Sequence, residues 1–194
     1  MAGKKQQTAV RREQILRAAL ELTDEVGVER LSMRTVAERV SLSAMGLYRH
    51  FADKAEILDA LVGRVLADVA TGDLPAEWRP RLHAVAQQLL DAAVRHPEAF
   101  LLVLNRPYRA PEAIRVMEAT YGILRDAGVD PDQLPRVERL VSTALIGYAA
   151  AVGSGAFWSG GSPDGPPMEP GAPEWRDELR RNVDDLGAVI LRAR

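Results

Sequence analysis

The residues best placed to do chemistry form one continuous string, Leu42, Ser43, Ala44, Met45, Gly46, Leu47, Tyr48, Arg49, His50 and Phe51. Leu47 and Phe51 are four apart, so on a helix both turn toward a core and leave Tyr48, Arg49 and His50 facing away from it. Ser43 is a natural N-cap, and Ala44, Met45 and Gly46 are small or flexible residues just behind it. The chemistry such a face offers is noncovalent: hydrogen bonds and apolar contacts to base edges and phosphates. A major groove about 12 Å wide admits one helix, which enters by its N-terminal residues.

Covalent chemistry has no comparable candidate. There is no Gly-x-Ser-x-Gly elbow and no His-Glu-x-x-His pattern, and Gly160 to Gly165 lacks the Gly-Lys-Ser/Thr ending of a phosphate loop. Cysteine is absent, which removes disulfides, thiolate metal sites and cysteine nucleophiles together. His83 and His96 are thirteen apart and fall on different helical faces, so they share no metal site. Neither an enzyme nor a bound cofactor or metal is expected.

A groove-reading helix needs a brace, and the flanking periodicities supply one. Ile15, Ala19, Leu22 and Val26 recur at helical spacing with Gly27 as a C-terminal cap. Ser32 caps a short second helix with Val36, Ala37 and Val40 inward, and three turn residues lead to a third helix running from Ser43 to about Phe51. Asp53 with Glu56 opens a fourth, whose apolar stripe runs from Ile57 to Val69. Gly72, Pro75 and Pro80 mark a break, and a fifth helix carries Leu82, Val85, Ala86, Leu89, Leu90 and Ala93. Further helices are expected over about 97–108, 111–127, 135–158 and 174–191, with 159–173 a Gly- and Pro-rich loop. No strand alternation or repeat appears, so the fold is expected to be all-α.

Charge agrees only locally. The chain carries a net charge of -2, but Met1 to Glu56 holds ten Lys and Arg against eight Asp and Glu, and Lys4, Lys5, Arg11 and Arg12 precede the first acid, Glu13. The N-terminal residues lack the apolar core of a secretion signal and no apolar run is long enough to span a membrane, so a cytoplasmic protein is expected.

The string from Leu42 to Phe51, followed by Asp53 and Lys54, resembles the signature of the TetR family of bacterial repressors, with Ile15, Ala18, Ala19, Gly27, Thr35, Val36 and Ala37 as supporting marks. The resemblance runs from about Arg11 to Leu66 and implies a helix-turn-helix over 1–56, with a basic N-terminal arm. It also implies a helical effector-binding and dimerisation domain over 57–194 that includes the connecting fourth helix. On that basis Arg34 is the base-reading candidate, and arginine prefers guanine O6 and N7. Ala44 and Met45 match positions lying on the bases, and Tyr48, His50 and Lys54 match phosphate contacts. Thr35, Ser43 and Arg49 complete the DNA-facing set, together with Gly46 in place of a threonine that commonly touches phosphate. Ser41 stands where the family usually has glycine, so a positive φ there carries strain.

The implied function is that of a homodimeric repressor, pairing through its last two helices on a palindromic operator and released by a small, mainly apolar effector. Effector candidates are Phe100, Leu104, Met117, Tyr121, Tyr148 and Phe157, with Arg95 or His96 for an anionic group. The expected seam has small residues Ala144, Gly147, Ala149, Ala150, Ala151 and Gly153 backed by Leu140, Leu145, Val152, Leu186 and Ile190. A helical ligand-binding or adaptor protein that does not use DNA is the alternative, and the sign of regulation is not written in the residues.

Overall fold

A computed structural model describes residues 2–157 and 169–194, with side chains from residue 6 onward. The described residues form ten α-helices and no strand. Helices α1 (Ala2–Val26), α2 (Met33–Arg39), α3 (Ala44–Tyr48) and α4 (Lys54–Val65) come first. They are followed by α5 (Trp78–Arg95), α6 (Pro97–Phe100), α7 (Leu102–Asn105), α8 (Pro111–Asp126), α9 (Leu134–Gly153) and α10 (Pro173–Leu191). No helix among the described residues is long and apolar enough to cross a membrane.

Local chemistry sets the early boundaries. Gly27 ends α1 with φ +81 while its N–H bonds the Thr23 carbonyl at 2.8 Å, a left-handed exit that glycine makes without strain. Ser32 and Thr35 form a reciprocal capping box at the start of α2. Ser43 caps α3 by accepting from the Gly46 N–H at 3.1 Å, and Asp53 caps α4 by accepting from the Glu56 N–H at 2.8 Å. Ile15, Ala19, Val36, Leu47 and Phe51 close the apolar centre that these four helices share.

Several helix boundaries differ from the sequence reading. α3 stops at Tyr48, because the His50 N–H turns onto the Leu47 carbonyl at 2.8 Å, and Phe51 reaches the core from outside the helix. α4 stops at Val65, although Leu66 and Val69 remain buried in the following turns. The segment expected as one helix over 97–108 is divided at Leu101 into α6 and α7, and Arg106 is extended at φ -113, ψ 146. Pro107 follows Arg106 and sterically disfavours a helical backbone there.

The second lobe is organised on α5 and α9. A Cβ on Gly153 would lie 2.6 Å from the Ala93 carbonyl oxygen, so the two backbones approach as closely as glycine allows. α8 lies against both helices and against α4, and α10 covers α5. Ala149, Ala150, Val152 and Gly153, together with Leu145 and Ile190, are therefore buried within the chain. Leu140 and Ala144 face outward, and Gly147 has no heavy atom within 4 Å of a built Cβ. The expected 135–158 helix ends at Gly153, while Trp158 and residues 159–168 of the expected loop lie outside the described residues.

Candidate nucleic-acid interface

α3 packs against α2 and turns its other side to solvent. Leu47 and Phe51 are fully buried, whereas Met45 is 70 % and Tyr48 50 % exposed, and Ala44 and Arg49 are exposed beside them. Burial of the two anchors is what fixes which side of this short helix faces outward. Arg34 projects from α2 with its side chain 86 % exposed and its Nε 2.8 Å from Glu38 Oε1 one turn on. Thr35 is turned to the capping box, where its hydroxyl donates to the Ser32 carbonyl at 3.0 Å.

The turn between α2 and α3 is held by backbone and arginine contacts. Ser41 adopts φ +53, the left-handed conformation that strains a serine, while the Leu42 N–H bonds the Ala37 carbonyl at 2.9 Å. Arg11 donates to the Val40 carbonyl at 2.9 Å. Arg12 stacks 3.9 Å over the Phe51 ring, donates to the His50 carbonyl and pairs with Glu56 at 2.8 Å. The two arginines that in sequence belong to a basic arm thus brace the turn before α3 and the residues that follow it. Only their tertiary position shows this, since the carbonyls they meet are 29 and 38 residues away.

Glu56 completes that brace. Its carboxylate accepts the Ala52 N–H at 2.7 Å, and this bond, together with Arg12, holds it below the ordinary glutamate range. His50 is half-buried, with Nδ1 buried and without a partner among the described residues. The Lys54 ammonium donates to the carbonyl of Val28 at 2.9 Å and to that of Glu29 at 3.4 Å, tying α4 to the loop after α1. Those two bonds use two of the three ammonium donors and leave one for a phosphate. A Cβ at Gly46 would meet Ser43 Oγ at 3.3 Å, so the glycine sits close against its own cap.

The effector candidates do not converge. Met117 lines a small cavity of about 20 Å³ between α5, α7, α8 and α9, completed by Leu66 just beyond α4 and by Tyr108 before α8. Phe100 is fully buried in the core, Leu104 is 53 % exposed, and Tyr121 is half-buried on α8. Tyr148 and Phe157 instead join Trp175 in an aromatic trio with centroids 5.6 to 6.4 Å apart, where the Tyr148 hydroxyl donates to the Trp175 carbonyl at 3.1 Å. Arg95 pairs with Asp68 and His96 with Asp24. The polar groups at the cavity are Glu138, Ser142 and Tyr108, and Glu138 and Ser142 did not stand out in the sequence because each lies among ordinary helix-surface residues.

A short capped helix exposed beside its brace, with further helices packed on the same core, defines a helix-turn-helix protein. The family model described as bacterial regulatory proteins, tetR family, matches residues 15–61, and that of the tetracyclin repressor-like C-terminal domain matches residues 71–164. The chain belongs to the TetR family of transcriptional regulators.

Among its relatives, the HTH-type transcriptional repressor DrrR1 of Streptomyces coeruleorubidus is 31 % identical over 143 residues, 71 % of this chain and 52 % of DrrR1. The chain thus spans about half the length of that relative. The structure of a TetR variant from Acinetobacter baumannii AYE in complex with minocycline is similar at TM-score 0.71 and 25 % identity, covering 93 % of this chain and 96 % of that one. BioQ with its natural double-stranded DNA operator is similar at TM-score 0.70 and 24 % identity, covering 91 % and 98 %.

Proposed function

We propose that this chain is a dimeric repressor that reads a palindromic operator through α3 and the N-terminal end of α2, and that a small molecule bound in its second lobe releases it. The observation that carries the reading is the division about α3, with Leu47 and the following Phe51 fully buried, Ala44, Met45, Tyr48 and Arg49 turned to solvent, and Arg34 exposed on the preceding α2. Tyr48 and Arg49 position the duplex, Ala44 and Met45 meet thymine methyls, and Arg34 reads a guanine once it leaves Glu38. The BioQ complex supports the fold's fitness for this use, and the minocycline complex supports a small-molecule ligand.

Transmission runs through α8. Arg115 on α8 reaches the end of α4, donating to the carbonyls of Ala67 at 2.8 Å, Leu66 at 3.2 Å and Val69 at 3.3 Å. It therefore holds carbonyls in the turns that follow α4, and a shift of α8 is felt by the helix that carries the reading head. Arg106 adds a second tie, from the end of α7 to Asp59 and to the Ala55 carbonyl on α4. A coupling of about 1 to 3 kcal/mol through these ties lowers operator affinity roughly 5- to 150-fold.

Salt separates this reading from a helical adaptor that does not use DNA. Affinity for a duplex from the chain's own upstream region is expected to fall steeply and log-linearly with salt concentration, as counterion release requires. Duplex binding that is absent at every salt concentration would instead favour the adaptor.

A further inference from the structure

Among the described residues, three buried side chains are polar: Thr23, Thr120 and Glu138. The two threonine hydroxyls donate to carbonyls four residues back, at 2.7 and 3.0 Å, which satisfies them within their own helices. Glu138 is different. It is 8 % exposed, it accepts the Ser142 hydroxyl at 2.7 Å, and no lysine, arginine or histidine among the described residues pairs with it. A carboxylate withdrawn from water without a cation is costly, whereas acids elsewhere on this chain, such as Asp59 and Glu56, find arginines.

The cavity explains what the carboxylate faces. Glu138 and Ser142 line its α9 side, and Leu89, Val116 and Met117 are among the apolar groups opposite. Tyr108 lines it too and is 40 % exposed, which places it at the outer wall. Burial raises the Tyr108 hydroxyl above the ordinary tyrosine range, and the Glu138 charge raises it further, consistent with the two groups sharing one site. A mainly apolar enclosure lined by one carboxyl group without a cationic partner selects for a molecule that supplies the cation.

Resting on the small-molecule-responsive reading above, we propose that the effector is an organic cation. It is an apolar or aromatic body bearing one ammonium or amidinium group that pairs with Glu138. The cavity of about 20 Å³ holds about one water, so such a body enters only by moving its walls. Met117 is the flexible wall and Tyr108 the outer one, and displacing them pushes α8 outward. Arg115 lies two residues from Met117 on that helix and grips the end of α4, so charge recognition and release share one element.

The test uses head-group triplets on one apolar body: 4-phenylbutylamine, 4-phenylbutan-1-ol and 4-phenylbutanoate, with their longer phenylalkyl homologues. Binding to the full chain is followed by calorimetry, and operator release by fluorescence anisotropy. The amines are expected to bind about tenfold or more tighter than the matched alcohols, with the carboxylates weakest. Glu138→Gln is expected to bring amine and alcohol to within about twofold of each other.

The head-group comparison on the unaltered chain decides alone if the variant does not fold. Equal binding of amine and alcohol, tighter binding of the carboxylate, or no binding by any amine of the series overturns the inference. Operator binding in probe-free buffer is a separate arm. If it persists while head-group discrimination fails, only the cation is lost; if it is absent, the regulator reading itself falls.

Discussion

Arg34 stands in the first turn of α2 with its guanidinium exposed and tied to Glu38, an exposed pair of the kind that contributes little to stability. Replacing it therefore costs the fold little and tests the proposed base contact. Arg34→Ala is expected to cost about 1–3 kcal/mol of operator affinity and to relax preference at one base pair of each half-site, as read by binding to single-substituted duplexes. Glu56 gives the reading head a pH signature. Its folded pKa is depressed, so the stabilisation is complete above the unfolded glutamate value and is lost as pH falls through the folded value. Thermal unfolding from pH 7 down to about pH 3 is expected to show that acid loss, and Glu56→Gln, which starts less stable, to show a flatter decline.

Side chains are legible in sequence where a local rule fixes them. Ser32, Ser43 and Asp53 cap the helices that their residue types predict, and Ser41 takes the positive φ that its place in the turn demands. Arg11, Arg12 and Lys54 are not legible, because their partners are carbonyls distant in the chain and carry no residue-type signal.

Among the helices, α4 is the joint between the two lobes, and its contact with α8 is tight. A Cβ on Gly63 would lie 2.6 Å from Glu112 Oε2 and 2.8 Å from the Ala110 Cβ. The Glu112 side chain can swing aside, but Ala110 cannot without moving the start of α8. Gly63→Ala is expected to destabilise the chain by about 1–3 kcal/mol in denaturant unfolding and to weaken effector-driven operator release more than operator binding itself. The helix pattern is readable from apolar spacing along most of the chain. The division of the 97–108 segment is not, because both halves carry the same apolar spacing and the extended backbone at Arg106 depends on the proline after it. The cavity is also invisible, since it is assembled from four helices and two connecting segments and its polar groups are spread from Tyr108 to Ser142.

In the proposed assembly one reading head meets one half-site, and two heads about 34 Å apart need a partner copy. Small residues along α9 point to a seam, yet burial divides them. Ala149, Ala150 and Gly153 serve the contact with α5, and Leu140, Ala144 and Gly147 remain outside on one stripe at helical spacing. Sequence spacing alone cannot separate these two sets, because small residues permit close approach to either neighbour. Gly147 has open space around it, so Gly147→Arg is expected to leave the protomer's unfolding temperature within a few degrees while converting the dimer to monomer by light scattering. Operator affinity should fall with it, since one half-site binds weakly.

The most direct measurement is the affinity of the purified chain for a duplex drawn from its own upstream region against a scrambled duplex of equal length and composition. It is made without effector at about 150 mM salt, a concentration at which nonspecific phosphate binding is weak. A preference of about 10³-fold or more for the native duplex is the expected result. Equal affinity for the two duplexes, persisting when the salt is lowered, would contradict the assignment of α3 as an operator-reading helix.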